Sequence, residues 1–256
     1  MTALAVLTIL ATALPIVHTN AWWVRVLDFP RLQFVGLLVL ALLLLPAVLP
    51  TRSWAKVVLI VGASAALLLQ LIRIAPFTPL VPVEIAAVKQ CPAAQSVSIM
   101  VANVLMDNRD YAALIDLVRQ HNPDLLMLLE TDQAWADAVA PLHAAYPHRV
   151  SAPQPDTWGM IMLSRLPMVD MGLDRIMLPD IPSVHGGIRM RSGEVIDFHG
   201  LHPKPPLPDI DTDARDAELV IVGRAVRASG NAAIVAGDMN DVAWSDTTNL
   251  FHDVSG

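Results

Sequence analysis

Three apolar stretches crowd into the first 76 residues, and nothing else in the chain constrains its folding as tightly. Residues 3–17 (ALAVLTILATALPIV) run into the polar break His18-Thr19-Asn20, residues 32–50 (LQFVGLLVLALLLLPAVLP) carry no charge, and residues 54–76 (WAKVVLIVGASAALLLQLIRIAP) are charged only at Lys56 and Arg73, near their ends. A helix needs ~20 apolar residues to cross a hydrocarbon core. The second and third stretches reach that directly, and the first reaches it if counted from Thr2 to Ala21. The first also lacks the basic leader of a secretory signal, which favours a retained helix over a cleaved one. Trp22, Trp23 and Trp54 stand at segment edges, where indoles prefer the interface. The competing reading, a helical core of a water-soluble protein, needs covering material that such short loops do not supply. Residues 1–76 are therefore expected to form three transmembrane helices.

Charge divides the chain at about the same place. Residues 1–96 carry six Lys/Arg against two acids, whereas residues 97–256 carry eleven against 22. The whole is 54% hydrophobic and only 16% charged, against about 25% charged in an ordinary soluble domain. A disordered chain is thereby excluded, and two environments are implied. Arg25 and Arg31 in the first loop, Arg52 and Lys56 in the second, and Arg73 and Lys89 beyond the third helix give no clear orientation, with a slight tilt toward a cytoplasmic back half. Residues 77–96, with Pro79, Pro82 and Pro92, read as an extended linker. The single Cys91 excludes an internal disulfide and any multi-cysteine metal site. The acidic back half argues against stable binding of long nucleic acid, which needs a basic surface.

Residues 97–256 alternate in type. Strands are expected at 97–105, 125–129, 158–164, 184–191, 194–199 and 232–236, the fourth and fifth pairing through Ser192-Gly193. Helices are expected from Tyr111 to His121, started near Asp110, from a Thr131 or Asp132 cap to Ala140, and from Asp213 to Ala228. That order gives a layered α/β domain.

The residues able to carry chemistry sit where strands end. Asn103 interrupts an apolar strand and Glu130 closes the run Leu125–Leu129; each is a strand-end polar group or part of an oxygen-rich site. His199 and His202 flank Gly200-Leu201 and face opposite ways, so they are not expected to share a metal. Gly237-Asp238-Met239-Asn240-Asp241 is either an Asx turn or a carboxylate and an amide on one face of an extended chain. No phosphate-binding glycine loop, His-Glu-x-x-His or Gly-x-Ser-x-Gly is present.

Five short pieces occur in order: Ala102-Asn103-Val104, Leu128-Leu129-Glu130, Gly159-Met160-Ile161-Met162-Leu163-Ser164-Arg165-Leu166-Pro167, His199-Gly200-Leu201-His202-Pro203 and Ala236-Gly237-Asp238-Met239-Asn240. Together they resemble the endonuclease/exonuclease/phosphatase superfamily, the metal-dependent phosphoesterases related to DNase I. With preceding membrane helices the chain resembles the membrane-anchored bacterial branch that includes VanJ-type proteins. The resemblance implies an α/β fold: a partial four-layer α/β/β/α sandwich behind the three helices, in a multi-pass protein of a bacterial inner or plasma membrane, with the soluble domain outside the cytoplasm. It implies Mg²⁺ or Mn²⁺ held by Glu130 and Asn103. It also implies that His202 contacts the scissile phosphate, that Asp238 orients or deprotonates water, and that Asn240 positions the phosphate. Asn103, His202 and Asn240 would bind substrate.

The family ends in an Asp-His pair, usually Ser-Asp-His. The only later histidine here is His252, in Phe-His-Asp. The domain is therefore expected to be incomplete at its C-terminus, with unpaired sheet edges. The expected function is a membrane-anchored divalent-metal-dependent phosphoesterase acting on a phosphodiester or phosphomonoester, lipid-linked substrates included. The alternative is a catalytically inactive binding or assembly module. A transporter role is disfavoured, because the apolar segments hold no mid-membrane carboxylate or histidine.

Overall fold

The computed structural model describes residues 2–48, 50, 53–82, 88 and 90–256. Arg52, and residues 83–87 and 89 of the expected linker, lie outside them. The chain divides into two compact units. One comprises Met1–Ala87, Pro205–Asp213 and Asp241–Asn249; the other comprises Val88–Lys204, Ala214–Asn240 and Leu250–Gly256.

In the first unit, α1 (Thr2–Ala13), the short α2 (Trp22–Arg25), α3 (Arg31–Val48) and α4 (Trp54–Ile74) follow one another. Among the described residues, only α3, and α4 with the 3₁₀ turn after it, are long and apolar enough to cross a membrane. The expectation of three such helices is corrected to two. The first segment stops early because its α-helix gives way to a 3₁₀ turn with Pro15 near its start, and Val17 then turns extended. Helix and turn together reach only about 24 Å, short of a ~30 Å core. Small residues let the helices meet: Ala5 and Ala41 pack with Leu45, and Ala63 and Ala66 with Leu38. Their other faces are left open, with Leu7 63%, Leu43 70% and Trp54 79% exposed.

The second unit opens with β1 (Ile99–Asn103), α5 (Tyr111–His121), β2 (Leu125–Leu129), α6 (Gln133–Ala138), β3 (His148–Ala152) and β4 (Met160–Ser164). There follow β5 (Met168–Asp174), β6 (Ser183–Arg189), β7 (Val195–Leu201), α7 (Asp213–Ser229), β8 (Ala233–Gly237) and α8 (Asp246–Ser255). Two four-stranded sheets form, in the orders β1-β2-β4-β3 and β5-β6-β7-β8. β2 and β4 are buried at every position, because both faces of the first sheet are covered. Inward, Leu125, Met127, Leu129, Met160 and Met162 meet Val184, Ile188, Ile196 and Phe198 of the second sheet. Outward, Leu126, Leu128, Ile161 and Leu163 meet Val118 of α5 and Trp135 of α6. The second sheet's outer face carries Leu219 and Val222 of α7 on Leu201 and Val235. The layers are helix, sheet, sheet, helix, the α/β/β/α arrangement expected. Among the described residues β8 pairs only with β7 and forms an edge.

Local chemistry sets the boundaries. Asp110 caps α5 by accepting from the Ala113 N–H, and Asn122 ends it in a left-handed conformation (φ 48°). Asp132, rather than Thr131, caps α6, accepting from the Trp135 N–H. β6 and β7 pair antiparallel across Ser192-Gly193.

Candidate active site

Parallel pairing of β1 with β2 and of β7 with β8 brings four strand ends together, carrying Asn103, Glu130, His202 and Asp238. The Asn103 Nδ2 donates to Glu130 Oε1 (2.6 Å) and lies 3.3 Å from Asp238 Oδ2. Its Oδ1 accepts from the Leu105 N–H (3.1 Å). One amide nitrogen thus serves two carboxylates from different sheets. Among the described residues neither carboxylate is ion-paired to a lysine or arginine.

The Asn240 N–H donates to Asp238 Oδ1 (3.0 Å), while its Nδ2 donates to the Pro203 carbonyl (2.9 Å). Arg215, 2% exposed, donates to the Asn240 carbonyl (2.8 Å). The strand exits are tight. A Cβ on Gly237 would stand 1.9 Å from the Leu201 carbonyl oxygen, and one on Gly159 would stand 1.8 Å from that of Thr131. Glu130 (φ 58°) and Asn240 (φ 48°) both adopt left-handed conformations, a backbone cost that clusters at functional sites.

His202 is 2% exposed, and its Nδ1 is buried without a hydrogen-bond partner among the described residues. Burial pushes its pKa below the ordinary histidine value, against the pull of the Asp238 and Glu130 charges. The imidazole is therefore neutral at neutral pH. The Trp158 ring covers it, with centroids 5.0 Å apart and planes tilted by 52°. The Lys204 Nζ lies 5.7 Å from the Trp158 centroid and pairs with Asp180 (3.0 Å).

All five residues singled out in the sequence, Asn103, Glu130, His202, Asp238 and Asn240, thus lie around one set of strand exits. His199 lies apart from them, on the outer face of the second sheet opposite His185. Trp158, Lys204 and Arg215 were not anticipated. The first two directly adjoin the Gly159 and His-Pro motifs, which is the signal that could have found them.

The donors are oxygen-rich and few. No group of three His, Cys, Asp or Glu side chains able to hold a metal ion occurs among the described residues. Two carboxylates and an amide suit a hard divalent ion, which needs only one or two carboxylates and completes its shell with water and substrate.

The model of the Endonuclease/Exonuclease/phosphatase family matches residues 100–256. No curated protein matches the chain significantly. Among solved structures, TDP2 from D. rerio complexed with single-strand DNA product is 17% identical, with a TM-score of 0.50, over 62% of this chain and 65% of that one. A family protein from Bacteroides thetaiotaomicron is 16% identical, also at 0.50, over 61% of this chain and 66% of that one. The chain spans less than two thirds of the length of each of these structures. At these identities the likeness is one of fold.

Proposed function

This chain belongs to the endonuclease/exonuclease/phosphatase family, and on that premise we propose that it is a membrane-anchored, Mg²⁺- or Mn²⁺-dependent phosphoesterase. Its reaction is hydrolysis of a phosphodiester or phosphomonoester by water. The observation that carries this reading is the meeting of Glu130 and Asp238 on the single amide nitrogen of Asn103. Two carboxylates so placed make a concentration of negative charge that favours a bound cation.

In this reading Glu130 would be the direct carboxylate ligand of the ion, and Asn103 would help to hold it. The ion, when bound, lowers the pKa of a bound water and neutralises phosphoryl charge. The chain's own groups supply placement. Asp238, one oxygen fixed by the Asn240 N–H, orients or deprotonates the attacking water. Neutral His202 donates from its imidazole to a phosphoryl oxygen. Asn240, tied to the Pro203 carbonyl, positions the phosphate.

Anchoring is supported by the two long apolar helices, of which only 22% of each 18-residue window is buried. A core helix of a soluble protein would be mostly buried. A tethered enzyme with an acidic face (net −11 over residues 97–256) favours a compact phosphate, lipid-linked substrates included, over long nucleic acid.

The test is hydrolysis of bis(p-nitrophenyl) phosphate by the purified full chain with Mg²⁺ or Mn²⁺. Glu130→Gln and Asp238→Asn are expected to lower turnover by about 10²–10⁴. Variants as fast as the wild type overturn the reading.

A further inference from the structure

The outer face of the second sheet carries a histidine pair that the strand-end site does not use. His185 of β6 and His199 of β7 stand directly opposite each other in the antiparallel register. Side chains alternate across a strand. Val184, Ile188, Ile196 and Phe198 point into the core between the sheets, and Leu201 packs against α7 on the other face. His185 and His199 therefore both face outward. Directly opposed Cβ atoms in such a pair stand about 4.5–5.5 Å apart. Two imidazoles at that spacing can reach one ion at the ~2.0–2.1 Å of a zinc–nitrogen bond.

The surroundings suit a cation. The pair lines a cleft of about 530 Å³ that Asp170 and Asp197 also line. Asp197 lies two residues before His199, on the same face, and Asn231, just after α7, donates from Nδ2 to both of its oxygens (3.2 and 3.4 Å). Asp170 adopts its left-handed conformation where the register of β5 shifts. Beyond that shift, Gly172 stands opposite His185. A Cβ on Gly172 would meet only His185 Cε1, at 4.0 Å, so the ring lies over bare backbone with room to turn toward His199. His185 is exposed and His199 half-buried, which leaves one side of the pair open to an arriving ion. Burial lowers the His199 pKa; the Asp197 charge opposes that shift and the His185 charge adds to it. The His199 ring is therefore neutral at neutral pH, the form that ligates metals.

We propose that His185 and His199 form a zinc site on the outer face of the second sheet, each giving one imidazole nitrogen, with water completing the shell. Asp197 stands behind the pair as the carboxylate that accepts from a ligand N–H or a bound water. Two neutral imidazoles suit Zn²⁺, whereas Mg²⁺ and Mn²⁺ favour oxygen donors. The pair and the strand-end carboxylates thus select different ions. The bound ion ties β6 to β7 through side chains as well as backbone. The site stands whether or not the protein hydrolyses a phosphate ester.

The test is competition for Zn²⁺ between a chromophoric chelator and the full chain in detergent, stripped of metal, free of any histidine tag and held in excess Mg²⁺. One Zn²⁺ per chain is expected, with affinity lowered at least tenfold in His185→Ala and in His199→Ala and unchanged in Glu130→Gln. His185→Asn, at an exposed position, supplies the same reading if a His199 variant fails to fold. Cu²⁺ bound in place of zinc should show paramagnetic resonance splitting from two imidazole nitrogens, reduced to one in either histidine variant. Zinc binding that is absent, or equal in the wild type and the histidine variants, overturns the proposal. So does binding lost in Glu130→Gln and kept in the histidine variants, which would place the ion at the strand ends.

Discussion

The sandwich and the helical unit dispose of polar groups in opposite ways. In the sandwich, the core between the sheets is built chiefly of apolar side chains, and Asn103, Glu130 and Asp238 stand partly exposed at strand ends beside the buried His202. In the helical unit, the outward faces are apolar while charge is buried. Asp28, Arg31 and Gln70 are each 2% exposed or less, with Arg31 donating to Gln70 (2.9 Å) and bonded to Asp28. Gln70 in turn donates to Thr12 (3.1 Å). Most of the large apolar side chains left exposed lie in residues 4–88. The inversion fits the membrane anchoring proposed above for the helical unit. Where hydrocarbon surrounds a helix bundle, packing and internal hydrogen bonds hold it together, because apolar burial gains nothing there.

That contrast can be broken in three places. The largest effect is all-or-none. Cys91 is the only cysteine in the sequence and is exposed, so a membrane-impermeant maleimide applied to intact cells should label it if the sandwich lies outside the cytoplasm. Labelling only after lysis would reverse the orientation. Next in size, Leu129→Ala removes a fully buried side chain of the sandwich and should destabilise it by about 2–5 kcal/mol in denaturant unfolding. Leu43→Ala removes a 70% exposed one from α3 and should cost less than about 0.5 kcal/mol. Equal costs would erase the distinction between the units.

The smallest effect concerns a charge buried in the sandwich. Glu218 of α7 is 3% exposed and accepts from Ser183 (2.6 Å). Burial, aided by the Asp174 charge and opposed by the Ser183 bond, raises its pKa. A raised carboxylate pKa favours folding below the ordinary pKa of about 4.3 and costs stability as pH rises through the folded value. Glu218→Gln should therefore raise the melting temperature at pH 8 and leave it unchanged near pH 4. A fall at pH 8 would show that the ionised form is the better partner for Ser183.

The elements legible in the sequence were those with one dominant signal. Leu125–Leu129 and Met160–Ser164 read as strands because five-residue apolar runs suit a strand covered on both faces. β3 (HRVSA) mixes signs and sizes. In β5 the register shifts between Val169 and Gly172, where Asp170 turns left-handed (φ 47°), so its alternation is broken in the sequence as well. α8 (DTTNLFHDVS) carries too few apolar residues to announce a helix. Hydropathy overcounted the first apolar segment because it sums residues and does not register what Pro15 and the extended Val17 do to a helix. It also treated Arg25 and Arg31 as loop charges, whereas both are buried in an ion-pair network with Asp28. At the site, strand-end polar residues were visible because they interrupt apolar runs. Trp158 over His202 and Arg215 beneath Asn240 depend on loops and a helix meeting in space, and no spacing along the chain encodes that.

The central claim of the proposal is that Glu130, together with Asn103, would hold a divalent cation beside Asp238. Titration of the full chain with Mn²⁺, following the free-ion paramagnetic resonance signal, tests it without any substrate. One ion bound per chain, with affinity lost in Glu130→Gln and lowered in Asn103→Ala, is the result predicted. Binding that is absent, or unchanged in both variants, would contradict it.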